Sequence, residues 1–312
     1  MTHEHDALID AYRRCGGDER VLADAKTPHL LASGHSILSM RGADGLEVQT
    51  SVTKSGISAR LVLGENVCLQ RPVHLCFGVL HEEGEQCIVM QVSLRPNSTA
   101  HIIAHCFFPN ARKVRHVMDA TIEIEEGAEM RYEETHYHGP HGGTEVLPKA
   151  VVVLGERGRY YADFTLLEGR VGILVLDYAV QSGRGSVAEL SARIFGHAQD
   201  VIQIREKIVL EGERSRGLIK TRIALEGDAS AEVTGITEGR AAGARGHVDC
   251  MEIVKDNAVA KAVPIVLVTH PLAKVTHEAA IGSVDKKQLE TLMAHGLSPE
   301  EAVDMIVKGI LR

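Results

Sequence analysis

Short aliphatic runs, each bounded by Gly, Asp, Asn or Ser, recur from about residue 36 to about residue 282. Examples fall at 151–154, 173–176, 201–204, 207–210, 223–225 and 265–268. The stretch carries no helical period, and its short alternating runs predict β-strands. The turns recur too. Gly196, Gly212, Gly227, Gly243, Asn257 and Leu272 follow one another at steps of 16, 15, 16, 14 and 15 along the chain. Gly127, Gly142, Gly158, Gly172 and Gly185 continue the series upstream. Self-similarity at a fixed period predicts a solenoid, with two steps making a full rung of roughly 30 residues. The competing reading is an antiparallel sandwich with evenly spaced hairpins. The near absence of Asn-Gly and Asp-Gly turns counts against it.

Both ends of the chain change period. Residues 2–15 read as a helix with Leu8, Ile9 and Tyr12 on one stripe and Gly16-Gly17 as its stop. A polar connector with Pro28 leads to the strands, so the division is 1–35 helix and connector, 36–284 coil, and 285–312 helical tail. In the tail, Asp285 caps a helix bearing Leu289, Leu292 and Met293, which His295-Gly296 ends. Ser298, Pro299 and Glu301 then spell a capping box, ahead of Ala302, Val303, Ile306 and Ile310. A helix pair this short needs a body or a partner to pack on.

Composition narrows the function. The 312 residues include no Trp and only 4% aromatics, so Val, Ile, Leu and Ala must fill the core. A net charge of -8 argues against broad nucleic-acid or anionic-membrane binding. No apolar run is long enough to span a bilayer and no secretory leader is present, so a cytoplasmic location is expected. The six Cys form no C-x-x-C pair, which excludes zinc-ribbon and thioredoxin-type motifs. No P-loop is present, so this chain is not expected to hydrolyse nucleotide, and no catalytic residue is assigned.

The 17 His are a rich supply of metal ligands. Cys250 lies in the run 246–252 beside His247, Asp249 and Glu252. His277 and Glu278 follow about one rung later, with Glu278 at an offset of 28 from Cys250 and His277 at an offset of 30 from His247. Stacked rungs lie about 4.8 Å apart. Thiolate, imidazole and carboxylate would then converge on one metal or small cluster, a donor set that suits labile iron–sulfur ligation. The plainer alternative is a buried thiol and a structural His–Glu pair. His136, His138 and His141 form a second group, read as a solvated Gly-rich turn or a divalent-metal site. Arg205-Glu206-Lys207 and the charges around Thr221 read as solvent-facing rows.

From Gly243 onward the chain resembles the SufB/SufD family, the scaffold subunits of the SUF iron–sulfur assembly machinery. The resemblance rests on HEAAIG at 277–282, the QLETLM block with GL-S-x-E-E-A at 288–302, and the terminal IVKGI. EEGAEM, HYHG, VLPKA, GRVG and REK upstream extend it to roughly 36–312, closest to an archaeal single-subunit form. It implies a right-handed parallel β-helix with helical ends, which assembles a transient iron–sulfur cluster for apo acceptor proteins. It implies a SufC-like ABC ATPase docked on the tail through Leu289, Leu292, Met293, Leu297, Ile306 and Ile310. It also implies a homodimer paired along β-helix edges. Cys250, Glu278 and His277 match the family's cluster-binding Cys and its HEA motif. No Cys lies between 107 and 249, so the family's earlier sulfur-entry Cys has no match there.

Three rivals use the same residues differently. A structural adaptor for the ATPase would hold no cluster. A β-helix carbohydrate-active enzyme would use Asp249 and Glu252, but it would lack the Trp platform that sugar sites favour. Metal storage would use His136 and His138.

Overall fold

A computed structural model describes residues 2–14, 17–54 and 56–311. Cys15 and Gly16, expected at the end of the first helix, lie outside the described residues. The helix itself is α1 (Thr2–Arg14), followed by the short α2 (Glu19–Ala23), which Asp18 caps.

The body is a β-solenoid of about eight turns. Its first strands, β1 (His29–Ser33) with β2 (Ser36–Arg41) and β3 (Leu46–Val52) with β4 (Gly56–Leu63), pair antiparallel. The remaining strands, from β5 (Val73–Gly78) to β19 (Lys274–Gly282), alternate between two sheets of ten and nine strands. Within each sheet these later neighbours run parallel. Thr99 pairs with Glu129, Lys149 with Asp177 and Val201 with Ser230, so one turn of the coil advances the chain by 30, 28 and 29 at these places. The shorter step between turns is therefore a half-coil, and the sandwich of hairpins is excluded. Because β1 already pairs parallel with β5, the sheet begins upstream of residue 36.

Alternation makes the core. Side chains at every second position of both sheets point between them, and aliphatic ladders fill the interior as the composition demanded. Each fully buried Val, Leu or Ile contributes about 1.5–3 kcal/mol. The corners need left-handed backbone once per half-turn. Asn97, Gly127, Arg157, Gly185, Arg214 and Gly243 supply it at one corner, and Ala198, Gly227 and Asp256 at the other. Gly212 serves instead for close approach, since a Cβ there would sit 2.0 Å from the backbone nitrogen of Arg184.

The two ends differ. At the start, Tyr12 of α1 is buried against His105 and Phe107, and the paired strands β1–β4 close the coil. At the finish, β18 (Val259–Val268) and β19 are the last strands of their sheets. Val259, Ile265, Leu267, Val268 and Ile281 are exposed there. The tail is α3 (Lys286–Ala294) and α4 (Pro299–Ile310), with Asp285 as cap and the complete Ser298–Glu301 capping box. Val307 and Leu311 pack on Ala224, with Phe195 and Leu167 alongside. Ile306 is buried, while Leu289, Leu292, Leu297 and Ile310 are half-buried and Met293 is exposed.

Candidate functional site

Cys250 sits on β17 (Arg245–Val254) with its side chain inside the coil, 2% exposed. Parallel pairing sets its neighbours. Thr221 of β15 (Arg216–Leu225) lies on one side and Ala279 of β19 on the other. His277 pairs with Val248, two positions before Cys250, and so shares the inner face. Glu278 pairs with Asp249, one position off, and takes the outer face. This corrects the expected three-way stack. Cys250 and its partner Ala279 are separated by an odd number of positions, so the even offset to Glu278 reverses the face. The outer face instead holds Arg222, whose Nη2 donates to Asp249 Oδ2 at 2.5 Å.

The carboxylate that does share the face is Glu252, buried, with neither oxygen hydrogen-bonded. Glu206 of β14 (Val201–Leu210) also points inward and accepts from Thr221 Oγ1 at 3.0 Å. The expected solvent-facing row at 205–207 is thus broken by an inward Glu206, because strand parity sends alternate residues to opposite faces. Burial pushes Glu206 up to about 7 against the Thr221 hydrogen bond. Burial likewise pushes Glu252 up to about 7, against the charge of Arg222. The Cys250 thiol is pushed up to about 12, by burial first and then by Glu252 and Glu206.

A second centre occupies the first half of the coil. His136 and His138 are not in a solvated turn: they end β9 (Glu129–His138) on its inner face and are buried, while His141 alone is in the exposed turn. Their inward parity, shared with Met130, Tyr132 and Glu134, explains the difference. Cys106 of β7 (Thr99–Phe108) pairs with His136 on the next rung. Glu134 Oε1 accepts from His136 Nε2 at 2.8 Å, and Glu134 Oε2 accepts from Tyr178 Oη at 3.1 Å. His116 reaches across from β8 (Lys113–Ile124) in the facing sheet, with Nε2 3.8 Å from Cys106 Sγ. Beyond His136, Nδ1 lies 3.4 Å from His138 Nε2, and His138 Nδ1 lies 3.4 Å from Thr144 Oγ1.

Burial dominates the titration here as well. It raises the Cys106 thiol, aided by the negative Glu134. It lowers His116 to about 3, with His136 adding to the effect and Glu134 opposing it. For Glu134 burial acts upward, but the His136 hydrogen bond and charge outweigh it and hold the carboxyl low.

Sequence reasoning missed Cys106, His116 and Glu134. A usable signal was present: Glu134 follows Cys106 at the same offset of 28 that drew attention to Glu278. Cys106 and its partner His136 are separated by an even number of positions, so this offset keeps the face.

A buried polar line joins the two centres. Glu134 bonds to Tyr178, Tyr178 of β12 (Gly172–Ser182) pairs with Glu206, Glu206 bonds to Thr221, and Thr221 pairs with Cys250.

Fold and site together define a β-solenoid carrying buried thiol, imidazole and carboxylate groups, without a nucleotide motif. The family model described as "SUF system FeS cluster assembly, SufBD core domain" matches residues 81–310. An iron–sulfur cluster assembly SufBD family protein of Methanocaldococcus jannaschii is 34% identical over 304 residues, 97% of this chain and 96% of the relative. A SufBD family protein of Pyrococcus horikoshii is 32% identical over 308 residues, 99% of this chain and 94% of the relative. The iron–sulfur cluster assembly protein SufB of Bacillus subtilis is 29% identical over 152 residues, 46% of this chain and 32% of the relative. The chain belongs to the SufB/SufD family of iron–sulfur cluster assembly proteins. No helix among the described residues is long and apolar enough to cross a membrane.

Proposed function

We propose that this chain is a scaffold on which iron and sulfide assemble into a cluster at Cys250 for transfer to apo acceptor proteins. The supporting observation is the placement of Cys250. It is an inward thiol one strand from the open edge, with His277 on its face and Glu252 beside it. In this reading Cys250 supplies the thiolate and His277 the imidazole. Glu252 takes the carboxylate role expected of Glu278, which faces outward beside Asp249.

A thiol held this far up in pKa is protonated and shielded at rest. Loading therefore needs the last rung to open, so that the proton leaves to water as iron binds. A SufC-like ABC ATPase docked on α3 and α4 supplies that movement: nucleotide binding biases the tail between two positions, and the edge strands follow. The exposed aliphatic row on β18 and β19 supports pairing with a second copy along these edges. The chain performs no catalysis of its own in this scheme and works in the cytoplasm.

Anaerobic reconstitution of the wild type and Cys250→Ala tests the reading. It expects acid-labile sulfide to be retained by the wild type and lost from Cys250→Ala. Equal sulfide in both would remove Cys250 from the role. Deleting 285–312 is expected to abolish ATPase association while leaving a β-rich body. An ATPase that still binds would place docking elsewhere.

A further inference from the structure

We propose that Cys106, His116, Glu134 and His136 form a resident site for one divalent transition-metal ion inside the first half of the coil, separate from the Cys250 centre. One ligand atom each from Cys106, Glu134 and His136 all lie within 4.8 Å of one another. His116 Nε2 adds a fourth donor at 3.8 Å from the sulfur, from the facing sheet. Ligands around a tetrahedral zinc-like ion sit about 3.3–3.7 Å apart, so side-chain rotations of about 1 Å would close the set.

Charge supports the assignment. A thiolate and a carboxylate carry two negative charges, which a divalent ion cancels. Without an ion, the interior holds a carboxylate met by hydrogen bonds from Tyr178 and His136 and by the charge of His136, a buried pair that is costly to desolvate. The outer support is already built. Tyr178 holds the far oxygen of Glu134, and His138 and Thr144 back His136, the kind of secondary contact that orients metal ligands. His116 presents Nε2 to the sulfur from the facing sheet, its ring held against Phe108 and His136, while its Nδ1 is buried without a hydrogen-bond partner.

Binding has a defined proton balance. The Cys106 proton is released to solvent. As the ion takes His136 Nε2, the proton there also leaves to solvent; His136 keeps its Nδ1–H, which donates to His138 Nε2, and His138 Nδ1–H donates to Thr144 Oγ1. One thiolate, two imidazoles and one carboxylate suit Zn²⁺ or Fe²⁺ and disfavour Mg²⁺ and Ca²⁺. The burial of all four residues makes this ion a staple of the fold rather than cargo.

The test uses the full chain in a Cys250→Ser background, expressed in medium supplemented with Zn²⁺ or Co²⁺. Metal is counted by mass spectrometry on the purified folded protein. The site predicts about one ion per chain and, with Co²⁺, a thiolate-to-metal charge-transfer band. Both are lost in Cys106→Ser and Glu134→Gln. Should those variants fail to fold, melting of the parent chain still decides: metal-loaded protein must melt above metal-stripped protein. Retention of the band in Cys106→Ser would overturn the site. So would a parent chain that carries no metal above buffer level and melts identically with and without it.

Discussion

Cys106 and Cys250 are both buried thiols facing the interior of one coil, yet their surroundings differ. Cys106 lies beside His116 and Glu134, and Phe108 packs on the rings of His116, His136 and His138 around them, in the half of the coil that α1 closes. Cys250 lies one strand from the end of its sheet, where β19 is exposed along its length. Two carboxyls with few partners surround it, while Glu134 beside Cys106 is fully hydrogen-bonded. In the roles proposed above, the closed centre holds what it binds and the open centre lets it go. Local stability should follow the same gradient, because the last rungs have a neighbour on one side only.

The strongest break in that comparison is a core truncation. Phe164→Ala, beside His136, is expected to cost about 3–5 kcal/mol. Leu267→Ala, on the exposed edge, should cost under about 1 kcal/mol in the isolated chain. Chemical denaturation measures both, and equal costs would contradict a closed half and an open half.

Next in size is a pH effect at the Cys250 end. Glu206 is held near 7 in the folded chain, against 4.5 for a free glutamate. Both states are protonated at low pH. As pH rises through that window the unfolded chain ionises first, so stability is full below about 4.5 and is lost as pH passes 7. The loss is on the order of 3 kcal/mol, with Thr221, Cys250 and Glu252 as the groups facing Glu206 or coupled to it. Melting curves from pH 5 to 8 should show this fall, and Glu206→Gln should reduce it, leaving the part that Glu252, also raised to about 7, contributes.

Smaller effects refine the edge. Arg222→Ala removes donors to Asp249 Oδ2 and to the carbonyls of Thr221 and Asp249. About 1–2 kcal/mol should be lost at this half-buried site. Ser298→Ala breaks the capping box and should cost about 1 kcal/mol, read as faster hydrogen exchange confined to α4.

The coil was legible because its signal is periodic: rung length, half-coil step and both helical ends follow from spacing. Turn positions were legible within about two residues. Gly196 and Gly212 mark two of them, but the left-handed residues are Ala198 and Arg214, which carry no composition cue. The site was less legible for a sharper reason. Odd and even rungs give opposite parity at the same offset, so Glu278 turns outward while Glu134 turns inward. Spacing read to the nearest rung finds which strands stack. Only register to the single residue tells which side chains meet. His136 and His138 were misplaced for a related reason: Gly139, His141 and Gly142 do form a turn, but the strand runs on to its lip.

The most direct measurement is acid-labile sulfide after anaerobic reconstitution of Cys106→Ser and Cys250→Ser side by side. The account predicts that Cys250→Ser loses sulfide while Cys106→Ser keeps it. Sulfide retained by Cys250→Ser and absent from Cys106→Ser would contradict it, moving cluster assembly to the closed centre.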